Sequence, residues 1–107
     1  MDINHIKTMR NKEIFGEVKK RINLAIEKED YQLLDLADLG FQKENIKDGR
    51  LIHELHSLED DNEKIEVDFR CYDPSGPFQN LKDINKFTAD YFIEGKSVEK
   101  YQRTYED

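Results

Sequence analysis

The sequence predicts an α+β fold in which N-terminal helices pack on a small antiparallel sheet, and two stretches carry that expectation. Residues 10–28 place Ile14, Val18, Ile22 and Ile26 four apart, with Phe15 and Ala25 beside them and Lys, Arg and Glu opposite. That spacing is the apolar stripe of an amphipathic helix. Residues 64–72 alternate instead, with Ile65, Val67, Phe69 and Cys71 on one side and Lys64, Glu66, Asp68 and Arg70 on the other. A period of two is that of a half-buried strand.

The remaining elements follow in chain order. Asp30 is placed to cap a second, shorter helix whose apolar face is Leu33, Leu34, Leu36, Ala37 and Leu39, with Gly40 where a C-terminal cap belongs. Residues 50–58 carry Leu51, Ile52, Leu55 and Leu58 at a spacing closer to a helix than to a strand. A lone strand at 64–72 would leave backbone groups unpaired, however, and residues 50–58 are nearest, so a hairpin across the polar turn Glu59–Glu63 is expected. Asp73, Pro74, Ser75, Gly76 and Pro77 form a turn signal. Asn80 and Asp83 then cap a short helix through Phe87, with Leu81, Ile84 and Phe87 as its contacts. From Thr88 a helix to Gly95 competes with a hairpin of Tyr91–Ile93 and Val98–Tyr105, and the β-branched and aromatic content favours the hairpin.

The resulting order, with a helix-hinge-helix around Ile26 to Leu34, resembles that of small cystatin-like or NTF2-like domains. The same order allows an antiparallel sheet to wrap around the first helix.

A chain of 107 residues is the size of one domain, so residues 1–107 are read as a single unit. Hydrophobic residues make up 36% and charged residues 38%, which restricts the core to few faces and keeps it small. No apolar run approaches the roughly 18 residues of a membrane span, and Met1 to Lys12 carries charges where a signal peptide has its apolar region. Cys71 is the single cysteine, which excludes an internal disulfide and a cysteine-rich zinc site and suits a small buried hydrophobe. A cytoplasmic protein is expected.

Net charge is −7, and it is concentrated. Residues 59–73 hold seven acids against Lys64 and Arg70. Without a basic patch, direct binding to nucleic acid or to an anionic membrane is disfavoured, and a basic protein is the natural partner. The residues expected to meet it are Glu59, Asp60, Asp61, Glu63, Glu66, Asp68 and Asp73. A solvated edge that discourages strand pairing is the plainer explanation of the same residues.

Motifs with catalytic chemistry are missing or incomplete. His53, Glu54, Leu55 and His56 spell H-E-x-H, whereas a zinc protease needs its histidines four apart on one helical face. On a strand the two histidines face opposite ways, and both are expected at the surface. A His53–Asp68 acid–base pair across the hairpin is conceivable. Gly95, Lys96 and Ser97 match only the end of a phosphate loop, since Asp90 stands where the upstream glycine belongs. No catalytic residue, metal or cofactor is assigned. Tyr91, Phe92, Tyr101 and Tyr105 are expected mostly to complete the core, and Phe41, Phe78 and the tail tyrosines are the interface anchors where exposed.

The expected function is therefore a small acidic inhibitor or neutralising partner, of the immunity-protein or antitoxin kind, for a basic toxin or nuclease. A nucleic-acid mimic is a variant of it. A ligand-binding domain or small enzyme, with a pocket between the sheet and the first helix and His53, His56 or Asp68 at its mouth, is the alternative from another class. An oligomerisation module is a third.

Overall fold

The computed structural model describes residues 11–72 and 84–104. The turn expected at Asp73–Pro77, the expected helix start at Asn80, and the candidate residues Asp73, Phe78 and Tyr105 lie outside the described residues. The described architecture is α+β and mostly sheet: helix α1 (Asn11–Lys28), two short 3-10 turns (Tyr31–Leu34 and Ala37–Leu39), and strands β1 (Gln42–Asp48), β2 (Leu51–Asp60), β3 (Glu63–Tyr72), β4 (Lys86–Ile93) and β5 (Lys96–Arg103).

Helix α1 follows its stripe, burying Ile14, Phe15, Val18, Ile22 and Ala25. Glu13 in its first turn and Lys28 in its last complement the helix dipole. The second helix of the sequence reading is replaced by the two 3-10 turns. Asp30 Oδ1 accepts from the Gln32 N–H at 3.0 Å and Asp35 Oδ1 from the Ala37 N–H at 3.1 Å. Each aspartate thus turns back on the backbone two residues ahead and competes with helical pairing. Asp35 adopts extended geometry (φ −78°, ψ 114°), which separates the turns. Gly40 does cap the segment, at φ 97° in the left-handed region.

The five strands form one antiparallel sheet in the order β1-β2-β3-β4-β5. The expected pairing of residues 50–58 with 64–72 is present, with His56 opposite Val67 and Glu54 opposite Phe69. The intervening turn is tighter than its polar composition suggested. Asp60 already pairs with Glu63, leaving Asp61 and Asn62 as the loop. Strand β1 was not expected, because Gln42–Asp48 has no alternation and only Ile46 is partly buried. It is an edge strand, formed by pairing with β2 and not by burial of its own.

The helix expected to run through Phe87 is contradicted over its described part, since β4 begins at Lys86. Phe87 is fully buried opposite Phe69, where its ring meets the Phe69 ring edge-on at 5.7 Å. A buried cross-strand aromatic pair outweighs the weak local capping signal upstream. The C-terminal hairpin is as favoured, with a longer first strand, a second strand that starts two residues earlier at Lys96, and a two-residue loop at Glu94 (φ 52°) and Gly95 (φ 82°). Two positive φ angles in a two-residue loop match the right-handed strand twist.

One sheet face meets α1. Ile65, Val67, Phe69 and Cys71 of β3 and Phe87, Ala89 and Tyr91 of β4 share one buried cluster with the helix stripe. The rings of Phe15 and Tyr91 stack at 5.7 Å. At β5, the Asn23 side-chain oxygen accepts from Tyr101 Oη at 2.5 Å and from Arg103 at 2.7 Å.

Candidate functional site

In an antiparallel meander alternate turns fall at the same end, so the β2–β3 and β4–β5 loops lie side by side. They are joined: the Glu94 N–H donates to the Asn62 carbonyl at 2.7 Å. Between them is a hollow of about 470 Å³ lined by Glu59, Asp61, Glu63, Glu66 and Glu94, with Lys64 and the half-buried residue Phe92. Four of these carboxylates stand against one ammonium, since that of Glu63 turns toward α1, and the hollow is negative. Lys64 is taken by Glu66 at 3.0 Å, and that hydrogen bond raises the Lys64 pKa.

The acidic residues singled out in the sequence do not act as one group. Glu59, Asp60 and Asp61 are exposed at the hairpin end. Asp60 stands directly opposite Glu63, a like-charge pair that costs stability. Glu63 reaches toward α1, accepting from Tyr91 Oη at 2.5 Å and from Asn11 Nδ2 at 3.2 Å. Burial, together with the bond to Glu63, pushes the Tyr91 hydroxyl up to about 12. Glu66 pairs with Lys64, as above. Asp68 is held by His53 Nδ1, at 3.0 and 3.1 Å from its two oxygens, and by Arg70 Nε at 2.8 Å. Glu94, read only as a turn residue, and Phe92, read as core, were missed as lining of this hollow. Counting strands would have found them, because only the meander brings residue 94 beside residue 61.

The His53–Asp68 pair is present, on the sheet face turned away from α1. His56 is corrected. It was expected at the surface but is 2% exposed, tilted against Phe69 at 5.2 Å between ring centres. Its Nε2 donates to Glu54 Oε1 at 2.9 Å, and Tyr31 Oη donates to Glu54 Oε2. Burial would raise the Glu54 carboxyl, but the bonds from His56 and Tyr31 outweigh it and hold the pKa below the ordinary range. The same burial and bond push the Tyr31 hydroxyl up. This trio floors a second hollow of about 490 Å³, also lined by Leu34, Asp35 and Lys43. The expected pocket mouth of His53, His56 or Asp68 is therefore split: His56 is here, under the Tyr31–Leu34 turn, and the other two are across the sheet.

Among the described residues no group of three or more His, Cys, Asp or Glu is placed to hold a metal ion, and no helix is long and apolar enough to cross a membrane. Comparison with family models, curated proteins and solved structures finds no match for this chain.

Proposed function

We propose that the chain is a stoichiometric inhibitor or neutralising partner of a basic protein, of the immunity-protein or antitoxin kind, acting in the cytoplasm. The observation that carries this reading is the hollow between the two hairpin tips. Carboxylates from β2, β3 and both loops surround Phe92, a surface on which a lysine or arginine of a toxin or nuclease gains charge pairing and a ring face together. Glu59, Asp61 and Glu94 are its exposed carboxylates, and Asp60 extends the field outside it. The opposed Asp60 and Glu63 favour the same reading, since a cationic partner relieves their repulsion on binding.

The resemblance in element order to cystatin-like or NTF2-like domains belongs to the same proposal. A helix followed by an antiparallel meander supports it, and the 3-10 turns in place of a second helix depart from it. A nucleic-acid mimic, with carboxylates standing for phosphates, is the variant in which the hollow occupies the partner's nucleic-acid site.

The test is affinity capture from the native host with the wild-type chain and with a Glu59→Lys, Asp61→Lys, Glu94→Lys variant as paired baits. A basic protein recovered on the first and lost on the second is expected. Equal recovery on both would overturn the proposal. Release of the captured protein by its own DNA or RNA selects the mimic, and retention selects a separate surface.

A further inference from the structure

The hollow beneath the Tyr31–Leu34 turn shares no lining residue with the hairpin-end hollow. We infer that it is a binding site for an organic cation bearing N–H donors, a primary ammonium or a guanidinium group, with Glu54 as the counter-ion at its floor.

The first support is the polarity of the floor. Glu54 and His56 are 5% and 2% exposed, yet both are polar and hydrogen-bonded to each other. Apolar side chains would fill the same sheet positions with less desolvation cost, so the chain keeps a buried carboxylate where stability alone does not require one. The second is unused acceptor capacity. A carboxylate offers about four acceptor positions, and His56 and Tyr31 take one on each oxygen. The third is the balance of charge around the opening. Asp35 adds a second carboxylate, and Lys43, exposed at the rim, is the cation of the lining. Glu54 and Asp35 set two carboxylates against that one lysine, which disfavours anions. Glu54 stays ionised across the neutral range because its two donors outweigh burial.

Shape agrees with charge. A volume of about 490 Å³ falls within the range of small-molecule sites. Leu34 and the Tyr31 ring supply apolar wall for a short alkyl chain, and a cation near the ring gains further attraction.

The test is an NMR titration of the whole chain with n-butylammonium and methylguanidinium, using n-butanol and butyrate as neutral and anionic controls. Saturable shifts are expected at the amides of Gln32, Asp35 and His56, with a dissociation constant separate from that of any shift at Asp61 and Glu94. Glu54→Gln is expected to weaken binding at least about tenfold, as befits loss of a charge-assisted contact. Should that variant unfold, Asp35→Asn decides, because it keeps the oxygen that accepts the Ala37 N–H and removes only charge. It is expected to weaken binding about threefold through the lost Coulomb attraction. Absence of saturation, an equal response to butanol or butyrate, unchanged affinity in Asp35→Asn, or a response confined to Asp61 and Glu94 would each overturn the inference. Acetyl-arginine amide distinguishes the sources: binding as tight as methylguanidinium assigns the cation to a protein side chain, and weaker binding to a free molecule. Asp61 and Glu94 read the hairpin-end hollow separately, so failure at one hollow is distinguishable from failure at the other.

Discussion

Glu94 and Asn62, 32 residues apart in sequence, are joined twice, by a backbone hydrogen bond of 2.7 Å and by an Asn62 Nδ2 to Glu94 Oε1 contact of 3.3 Å. The two hairpin tips are thereby one surface, and charges on either tip act on the same partner. Asp61→Lys and Glu94→Lys are each expected to weaken binding of the captured partner, by about tenfold apiece if each loses a near charge pair. Titration calorimetry checks this. A loss confined to Asp61→Lys would mean that the β4–β5 tip lies outside the interface.

Ile22 is 1% exposed in the middle of the α1 stripe. Ile22→Ala is expected to cost about 2–5 kcal/mol in urea denaturation, through lost burial and the cavity left behind. A cost under about 1 kcal/mol would show that α1 does not seat on the sheet as described.

The two histidines are expected to behave differently although they are three positions apart. His56→Ala removes a donor from buried Glu54 and packing from Phe69, and is expected to cost about 3 kcal/mol or more. His53→Ala leaves Asp68 with Arg70 on the other face and is expected to cost about 1 kcal/mol or less. Similar losses for both in thermal unfolding would contradict the facing of β2.

Tyr31→Phe tests the buried trio through pH. Glu54 has a folded pKa below its unfolded value, so its contribution to stability is present above the ordinary carboxylate range and is lost as pH falls through the folded value. Removing the Tyr31 donor brings the folded value back toward the unfolded one. The stability gap between wild type and variant is therefore expected to be largest near neutrality and to narrow in acid. Tyr91 gives the opposite limb: folded near 12 against about 10 unfolded, it contributes stability fully below pH 10 that is lost as pH rises between these values. Tyr91→Phe is expected to flatten that alkaline decline, and denaturation curves at several pH values read both effects.

Much of the fold was legible where burial imposes a period. The α1 stripe and the β3 alternation are read directly, and the β2 pairing followed from backbone accounting even though Leu51, Ile52, Leu55 and Leu58 suggest a helix. The exceptions share a cause. β1 and the 3-10 turns are set by partners and by Asp30 and Asp35 bonding to nearby backbone, neither of which leaves an apolar period. The acidic end was visible as composition, but its division was not, because the tight Asp61–Asn62 loop sends Glu63 toward Tyr91 and Glu66 toward Lys64. His56 was misplaced because a histidine on β2 is read as surface unless the buried Glu54 and the half-buried Tyr31 beside it are known.

The measurement closest to the central claim is the association rate of the captured basic partner as a function of ionic strength, for the wild-type chain and the Glu59→Lys, Asp61→Lys, Glu94→Lys variant. Complementary fields are expected to speed wild-type encounter by about tenfold or more at low salt, with a steep fall as salt is added. The folded variant is expected to associate slowly with little dependence on salt. Equal rates and equal salt slopes for the two chains would contradict an interface at the hairpin-end hollow.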